Sequence, residues 1–155
     1  MIRTKKGLDL PISGAPSADI DSSTTINTVA LLGPDYVGLK PTMLVKEGDT
    51  VSCGQKLFED KKNPGIFITA PSSGVVQSIN RGEKRRFLSL IIEVDDSIES
   101  QTFNSSDYDS SLGLLAESGT LSYFKTRPYN RIPGINESPD AIFVNACDTN
   151  PLAVD

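Results

Sequence analysis

Few residues of this 155-residue chain have the type and spacing to do chemistry. Lys61 and Lys62 lie between Asp60 and Asn63-Pro64-Gly65, a turn-forming run that would present two amines at a hairpin tip. Arg81, Lys84, Arg85 and Arg86 set four cations against the single anion Glu83. Such a cluster is either a solvated turn that keeps a sheet edge soluble, or a contact for an acidic partner or anionic headgroups. Asp148 and Asn150 follow a short apolar run, where α/β proteins tend to place ligands, and equally suit turn and cap chemistry. There is no histidine, and Cys53 and Cys147 are the only cysteines. A protein zinc site, a cluster bound by four thiolates and a histidine-based triad therefore cannot be built from these residues. The carboxylates are scattered, with no pair spaced as an acid/base couple, and neither G-x-G-x-x-G nor G-x-x-x-x-G-K-[ST] occurs. The two isolated cysteines fit a reducing compartment and read as small core residues rather than reactive thiols.

Positioning these groups falls to elements of two kinds. Up to about Val94, short apolar runs alternate with glycine and proline turns: 28–32, 42–45, 56–58, 65–70, 74–79 and 86–94. Closely spaced short strands of this sort predict a small sandwich or barrel, with Val51, Leu57 and Val75 in its core. In the last run, Leu88, Leu90, Ile92 and Val94 form an apolar face, and Phe87, Ser89, Ile91 and Glu93 a mixed one. Residues 95–111 are acidic and rich in Ser and Asn, and read as a linker or surface excursion. Beyond them, Ser111 could cap a helix that Gly119 would stop, a second short helix could span 120–126, and 141–146 reads as a buried strand. The domains expected are thus a β domain over 1–94, a linker over 95–111 and an incomplete α/β domain over 112–155. A lone strand cannot complete a doubly wound sheet, so the chain reads as part of a longer protein.

The net charge of −5 hides an asymmetry. Residues 1–86 hold 12 Lys and Arg against 9 Asp and Glu, whereas 87–155 hold 3 against 11. Neither half has the broad basic face that nucleic-acid binding requires. No apolar stretch approaches the ~20 residues of a membrane span, and the charged start lacks the apolar run of a signal peptide.

The stretch Val45-Lys46-Glu47-Gly48-Asp49-Thr50-Val51-Ser52-Cys53-Gly54-Gln55-Lys56-Leu57, followed by Ile68-Thr69-Ala70-Pro71-Ser72-Ser73-Gly74-Val75-Val76, resembles the biotinyl/lipoyl barrel-sandwich hybrid. Gly48 and Gly54 suit turns with positive φ. Carriers of that fold modify a lysine at the hairpin between the two halves. Here the Met-Lys-Met signature is absent, the hairpin is lengthened, and Asn63 stands at the expected register. Solvated lysines are the expectation, with a carrier as the alternative.

A longer set of matches is more specific. Lys6 to Pro16, Val29 to Gly38, Phe58 to Gly65, Ile79 to Arg85, Arg127-Pro128-Tyr129 and Asp148 to Ala153 resemble, in order, the N-terminal part of the A subunit of the bacterial sodium-translocating NADH:quinone reductase family. The resemblance implies a mixed α and β chain, a barrel-sandwich hybrid domain followed by the start of a Rossmann-like α/β domain. It implies a peripheral subunit on the cytoplasmic face of the inner membrane. The enzyme is a membrane complex that oxidises NADH, reduces ubiquinone and pumps sodium. Other subunits are the implied partners, and they carry the flavins, the iron–sulfur centre and the NADH site. This chain would then bind no cofactor of its own. It would serve assembly and the quinone region, with Arg127 and Tyr129 as candidates to approach quinone; a non-catalytic scaffold is a further alternative. The fold is also similar to the flavin-binding subunit of respiratory complex I. Flavin-binding relatives carry a loop like G-G-A-G-F-P-T in the stretch where this chain has Ser118-Gly119-Thr120-Leu121-Ser122-Tyr123-Phe124-Lys125-Thr126-Arg127-Pro128-Tyr129. Bulky side chains there would keep a phosphate from the backbone.

Overall fold

A computed structural model describes residues 13–14, 17, 19–95 and 99–146. The chain divides into two compact units, Ile26–Ser138 and a second made of Met1–Thr25 with Pro139–Asp155.

The larger unit is built on seven strands: β1 (Thr28–Leu32), β2 (Pro41–Met43), β3 (Thr50–Val51), β4 (Lys56–Asp60), β5 (Phe67–Thr69), β6 (Gly74–Arg81) and β7 (Phe87–Val94). They form two antiparallel sheets, a four-stranded one in the order β1-β7-β6-β3 and a three-stranded one in the order β2-β4-β5. Val45, Val51, Leu57, Phe58, Ile68, Ala70, Val76, Phe87, Leu90 and Ile92 make the core between them. Each large apolar side chain fully buried there stabilises the fold by roughly 1.5–3 kcal/mol. Phe58 lies at its centre, with the Phe87 ring 5.2 Å away and the Tyr36 ring edge-on at 6.1 Å.

Turn glycines set the strand directions. Gly48 and Gly54 both take positive φ, 88° and 84°, as their turns require. Gly74 (φ 152°) opens β6 so close to β7 that a Cβ there would collide with the Glu93 carbonyl oxygen.

The structure corrects the expected core at two places, and both follow from parity. Val75 is 39% exposed and Val76 is buried. Val75 pairs with Glu93 on the outer face, so Val76, opposite Ile92, points inward. Likewise Leu88 is exposed and Phe87 buried, although alternation places Leu88 with Leu90 and Ile92. Asn80 pairs with Ser89 and Arg81 with Phe87, leaving Leu88 as the extra residue of a β-bulge. A bulge shifts the alternation by one position and turns Phe87 inward.

After β7, the stretch from Glu99 runs back along the β domain. The Cys53 N–H donates to the Glu99 carbonyl at 2.9 Å, and the Gln101 N–H donates to the Cys53 carbonyl at 2.8 Å. Helix α1 (Ser111–Glu117) follows, capped by Ser110, one residue before the expected Ser111, whose Oγ accepts from the Gly113 N–H at 3.1 Å. Gly119 ends it in the left-handed conformation, as expected. A 3₁₀ turn over Thr120–Tyr123 replaces the second helix expected over 120–126. Ala116 and Leu121 pack with Ile66 in a small satellite cluster.

Within the second unit, the strand expected over 141–146 does not form: among the described residues these have no ladder partner, and Ile142, Phe143 and Val144 are exposed. An apolar run becomes a strand only when its backbone groups find a neighbour. Among the described residues, no helix is long and apolar enough to cross a membrane.

Candidate functional site

The β4–β5 hairpin stands where a carrier would present its lysine, and here it is pinned. Asp60, itself buried, accepts through Oδ1 from the N–H groups of Lys40 and Lys62, both at 3.0 Å. Glu59 accepts from the Gly65 N–H at 2.8 Å. Asn63, at the register of the modified lysine, donates from Nδ2 to the carbonyls of Pro133 at 3.3 Å and Ile132 at 3.5 Å. Gly65 (φ 85°) has the Ile135 side chain against it. Lys62 donates through Nζ to the Gly38 carbonyl at 2.9 Å. Lys61 is left exposed on the turn. The tip is therefore clasped by the chain's own 132–135 segment.

The segment Ser118–Tyr129, compared above with a glycine-rich flavin loop, packs side chains rather than offering backbone. Leu121 is 4% exposed inside the satellite cluster, and Ser122 is buried beside it. Gly119 abuts β5: a Cβ there would lie 2.6 Å from the Thr69 side chain. Thr69 donates from Oγ1 to the Ser118 carbonyl at 3.4 Å. A phosphate cradle needs convergent, accessible N–H groups with no side chains in the way. The residues present do not fit a flavin phosphate.

This packing creates a pairing that no sequence spacing announces. The Lys125 ammonium lies 5.8 Å from the centroid of the Tyr36 ring and donates to the Ser122 carbonyl at 3.0 Å. Burial pushes the Tyr36 phenol up to about 12, and the neighbouring Tyr123 and Asp35 push in the same direction. The Lys125 side chain is largely solvent-facing, but partial burial of its ammonium lowers its pKa, opposed by the charge of Asp35. The fold thus sets a phenol and a lysine side chain, two hydrogen-bond donors, beside the aromatic edge of the core. Positions 36 and 125 are joined only by the fold.

Arg127 and Tyr129 lie further along, on an exposed turn closed by the Asn130 N–H donating to the Thr126 carbonyl at 2.8 Å. The Arg127–Pro128 bond is cis. The Tyr129 ring is 71% exposed and lies 5.6 Å from the Arg131 guanidinium. Neither residue lines the open groove of about 250 Å³ between α1 and the hairpin, which is formed by Gly65, Ser110, Leu112, Gly113, Ala116, Glu117 and Ile135. Its polar groups are already engaged, Ser110 as the helix cap and Glu117 in an ion pair with Lys56. The Lys56 ammonium also lies 3.8 Å over the Phe67 ring.

Arg81, Lys84, Arg85 and Arg86 are brought together on the β6–β7 turn, all exposed. The Arg86 N–H donates to the Glu83 carbonyl at 3.1 Å across a turn whose two central residues are both left-handed, Lys84 at φ 53° and Arg85 at φ 61°. That is the pattern of a type I′ turn, whose favoured pair is Asn-Gly. Non-glycine residues in this conformation cost on the order of 1 kcal/mol each.

Cys53 is half-buried rather than in the core, its Sγ 3.6 Å from the Pro71 carbonyl oxygen. Cys147, Asp148 and Asn150 lie outside the described residues. No group of three or more Cys, Asp or Glu among the described residues could hold a metal ion.

Two sheets closed over one core, with the lysine hairpin clasped shut, define a barrel-sandwich hybrid protein. Comparison with known proteins gives the particular family. Residues 2–95 match the family model described as the NqrA N-terminal barrel-sandwich hybrid domain, and residues 109–155 match the NqrA second alpha/beta domain. The chain belongs to the NqrA family. It is 50% identical over 163 residues to a protein of Actinobacillus pleuropneumoniae serotype 5b (strain L20), and 48% identical over 162 residues to one of Glaesserella parasuis serovar 5 (strain SH0165). A protein of Haemophilus influenzae (strain PittGG) is 49% identical over 162 residues. All three are named as the A subunit of Na(+)-translocating NADH-quinone reductase. Each alignment covers 100% of this chain, and the chain spans 36% of the length of each of these curated relatives.

Proposed function

We propose that this chain works within the A subunit of a sodium-translocating NADH:quinone reductase. It would act as a peripheral part on the cytoplasmic face, supporting assembly and the quinone region while NADH, flavins and the iron–sulfur centre are held by other subunits. The observation that carries the reading is the match to both NqrA domains, in order, at about half identity along the whole chain. The geometry supports the division of labour. The position of the flavin loop is filled by Leu121 and Ser122, and the position of the carrier lysine by a clasped Asn63.

The NADH and quinone chemistry belongs to the complex, and the role of this chain is positional. A quinone site wants an apolar slot with one or two polar groups for the carbonyl oxygens. Tyr36 and Lys125 are the donors the fold places beside an apolar edge, and Arg127 and Tyr129 stand as further candidates on the exposed turn that follows. None of these four residues lines the groove of about 250 Å³, so the chain would supply one wall of a site that other segments complete.

Fluorescence titration of flavin mononucleotide against the chain tests the division of labour: no quenching is expected through the micromolar range, and micromolar binding would overturn it. Deleting the subunit from the complex should abolish quinone-dependent NADH oxidation and sodium uptake into vesicles; unchanged rates would sink the assignment. Intact mass after co-expression with biotin and lipoyl ligases separates the carrier reading, which requires a mass gain on a lysine.

A further inference from the structure

The β6–β7 turn contains an unusual conflict between local conformation and residue choice. Its central positions are both left-handed, and they hold Lys84 and Arg85 rather than the glycine or asparagine that such positions favour. Four exposed cations, Arg81, Lys84, Arg85 and Arg86, share this tip with one anion, Glu83. Among the described residues, none of the four cations is in an ion pair. The acidic stretch begins at the far end of β7, and eight residues of strand put roughly 25 Å between the two ends. That is about three Debye lengths at physiological ionic strength. Next to the tip, Leu88 is thrown outward by the bulge and is 41% exposed, its methyl groups lying over Gly82.

We propose that the Arg81–Arg86 turn is a docking point for an anionic lipid surface, with its four cations facing the headgroups and Leu88 entering the interface between them. The conformation argues that Lys84 and Arg85 are kept for their charge, since the fold alone would be better served by Asn-Gly. The size of the feature favours lipid over protein. A specific protein interface covers about 800 Å² on each partner and demands shape complementarity, whereas a six-residue turn offers little area. A charged bilayer asks for no shape, and each basic residue near it adds attraction. Within a chain of net charge −5, the turn sets four cations against one anion, a local charge complementary to such a surface. The proposal does not depend on the chain's role in a quinone reductase.

Sedimentation of the chain with vesicles of phosphatidylcholine containing phosphatidylglycerol, against phosphatidylcholine alone, tests it. Partitioning is expected into the anionic vesicles only, weakening as salt rises. The double variant Lys84→Asn/Arg85→Gly should melt at a higher temperature than the parent and partition about thirty-fold less, on two cations at the usual increment per basic residue. A separate variant, Arg81→Gln/Arg86→Gln, leaves the left-handed positions untouched and should also lose partitioning. Equal partitioning into both vesicles, or parental partitioning by both variants, overturns the proposal. So does binding confined to an acidic protein in a membrane extract, which would reassign the turn to a protein partner. A double variant that melts below the parent would refute the claim that Lys84 and Arg85 are held against the turn's preference.

Discussion

The β domain and the segment that follows it are stabilised in different ways. Strands β1–β7 enclose ten buried side chains between two sheets, while α1 and its 3₁₀ turn contribute the buried Ala116 and Leu121, with Leu112, Leu115 and Phe124 partly buried around them, to a small cluster completed by Ile66 of the β5 side. The first region carries its own core. The second is a seven-residue helix, shorter than an isolated helix needs to be stable in water, and it is held by what it leans on. Its supports are named contacts: Glu117 on Lys56, Gly119 against Thr69, and Asn63 on the 132–133 carbonyls. The comparison teaches that the helical segment's order is borrowed from the sheet surface beneath it.

The largest test of that contrast removes core volume from each region. Phe58→Ala should cost about 3–5 kcal/mol and lower the unfolding midpoint of the whole β domain. Leu121→Ala should cost about 2 kcal/mol, the low end for such truncations, because its cluster is small and near the surface. Hydrogen exchange would sharpen the result, with α1 amides expected to open at lower free energy than those of β6 and β7. Equal protection in both regions would break the comparison.

A smaller effect is expected at the link between them. Glu117→Gln removes one partner of a half-exposed ion pair, so less than about 1 kcal/mol should be lost, and the loss should shrink in high salt. Thermal melts at low and high ionic strength would measure it.

A separate test is a pH dependence, confined to the alkaline range. The Tyr36 phenol is raised from its ordinary value of 10.0 to about 12, chiefly by burial. Between those values the unfolded chain gives up this proton while the folded one keeps it, so stability falls as pH rises through that window. Lys125 works in the opposite sense. Its lowered pKa means the folded state releases a proton more readily, so its penalty fades as pH rises toward 10.5. Tyr36→Phe should therefore flatten the alkaline decline, measured as unfolding midpoint against pH. A decline of unchanged slope would show that Tyr36 does not contribute to it.

Much of the β domain is legible in the sequence because glycine and proline punctuate it. The runs at 28–32 and 74–79 contain or overlap β1 and β6, and the positive φ at Gly48 and Gly54 follows from the turns they sit in. Facing is harder to read. Gln77 and Leu88 sit at register shifts, and a bulge leaves no mark in the alternation of apolar residues until the partner strand is known. That is why Val75 and Leu88 are expected inside and stand outside. The run 141–146 has the composition of a strand and no partner, which composition alone cannot supply. At the candidate site, the basic turn is visible as a run of neighbouring residues. The Tyr36–Lys125 approach is not, because the two are separated by most of the β domain and meet only through the 3₁₀ turn after Gly119.

The clasp on Asn63 also bears on how the chain would be cut. A protease must draw a loop into its cleft as free, extended chain before it can cleave. The 60–65 hairpin cannot be drawn out while Asn63 holds the 132–133 carbonyls and Ile135 rests on Gly65. Its rate of nicking therefore reports how often that latch lifts, and a loop that in a swinging carrier arm would be an early casualty becomes here a timer for the opening of the segment that covers it.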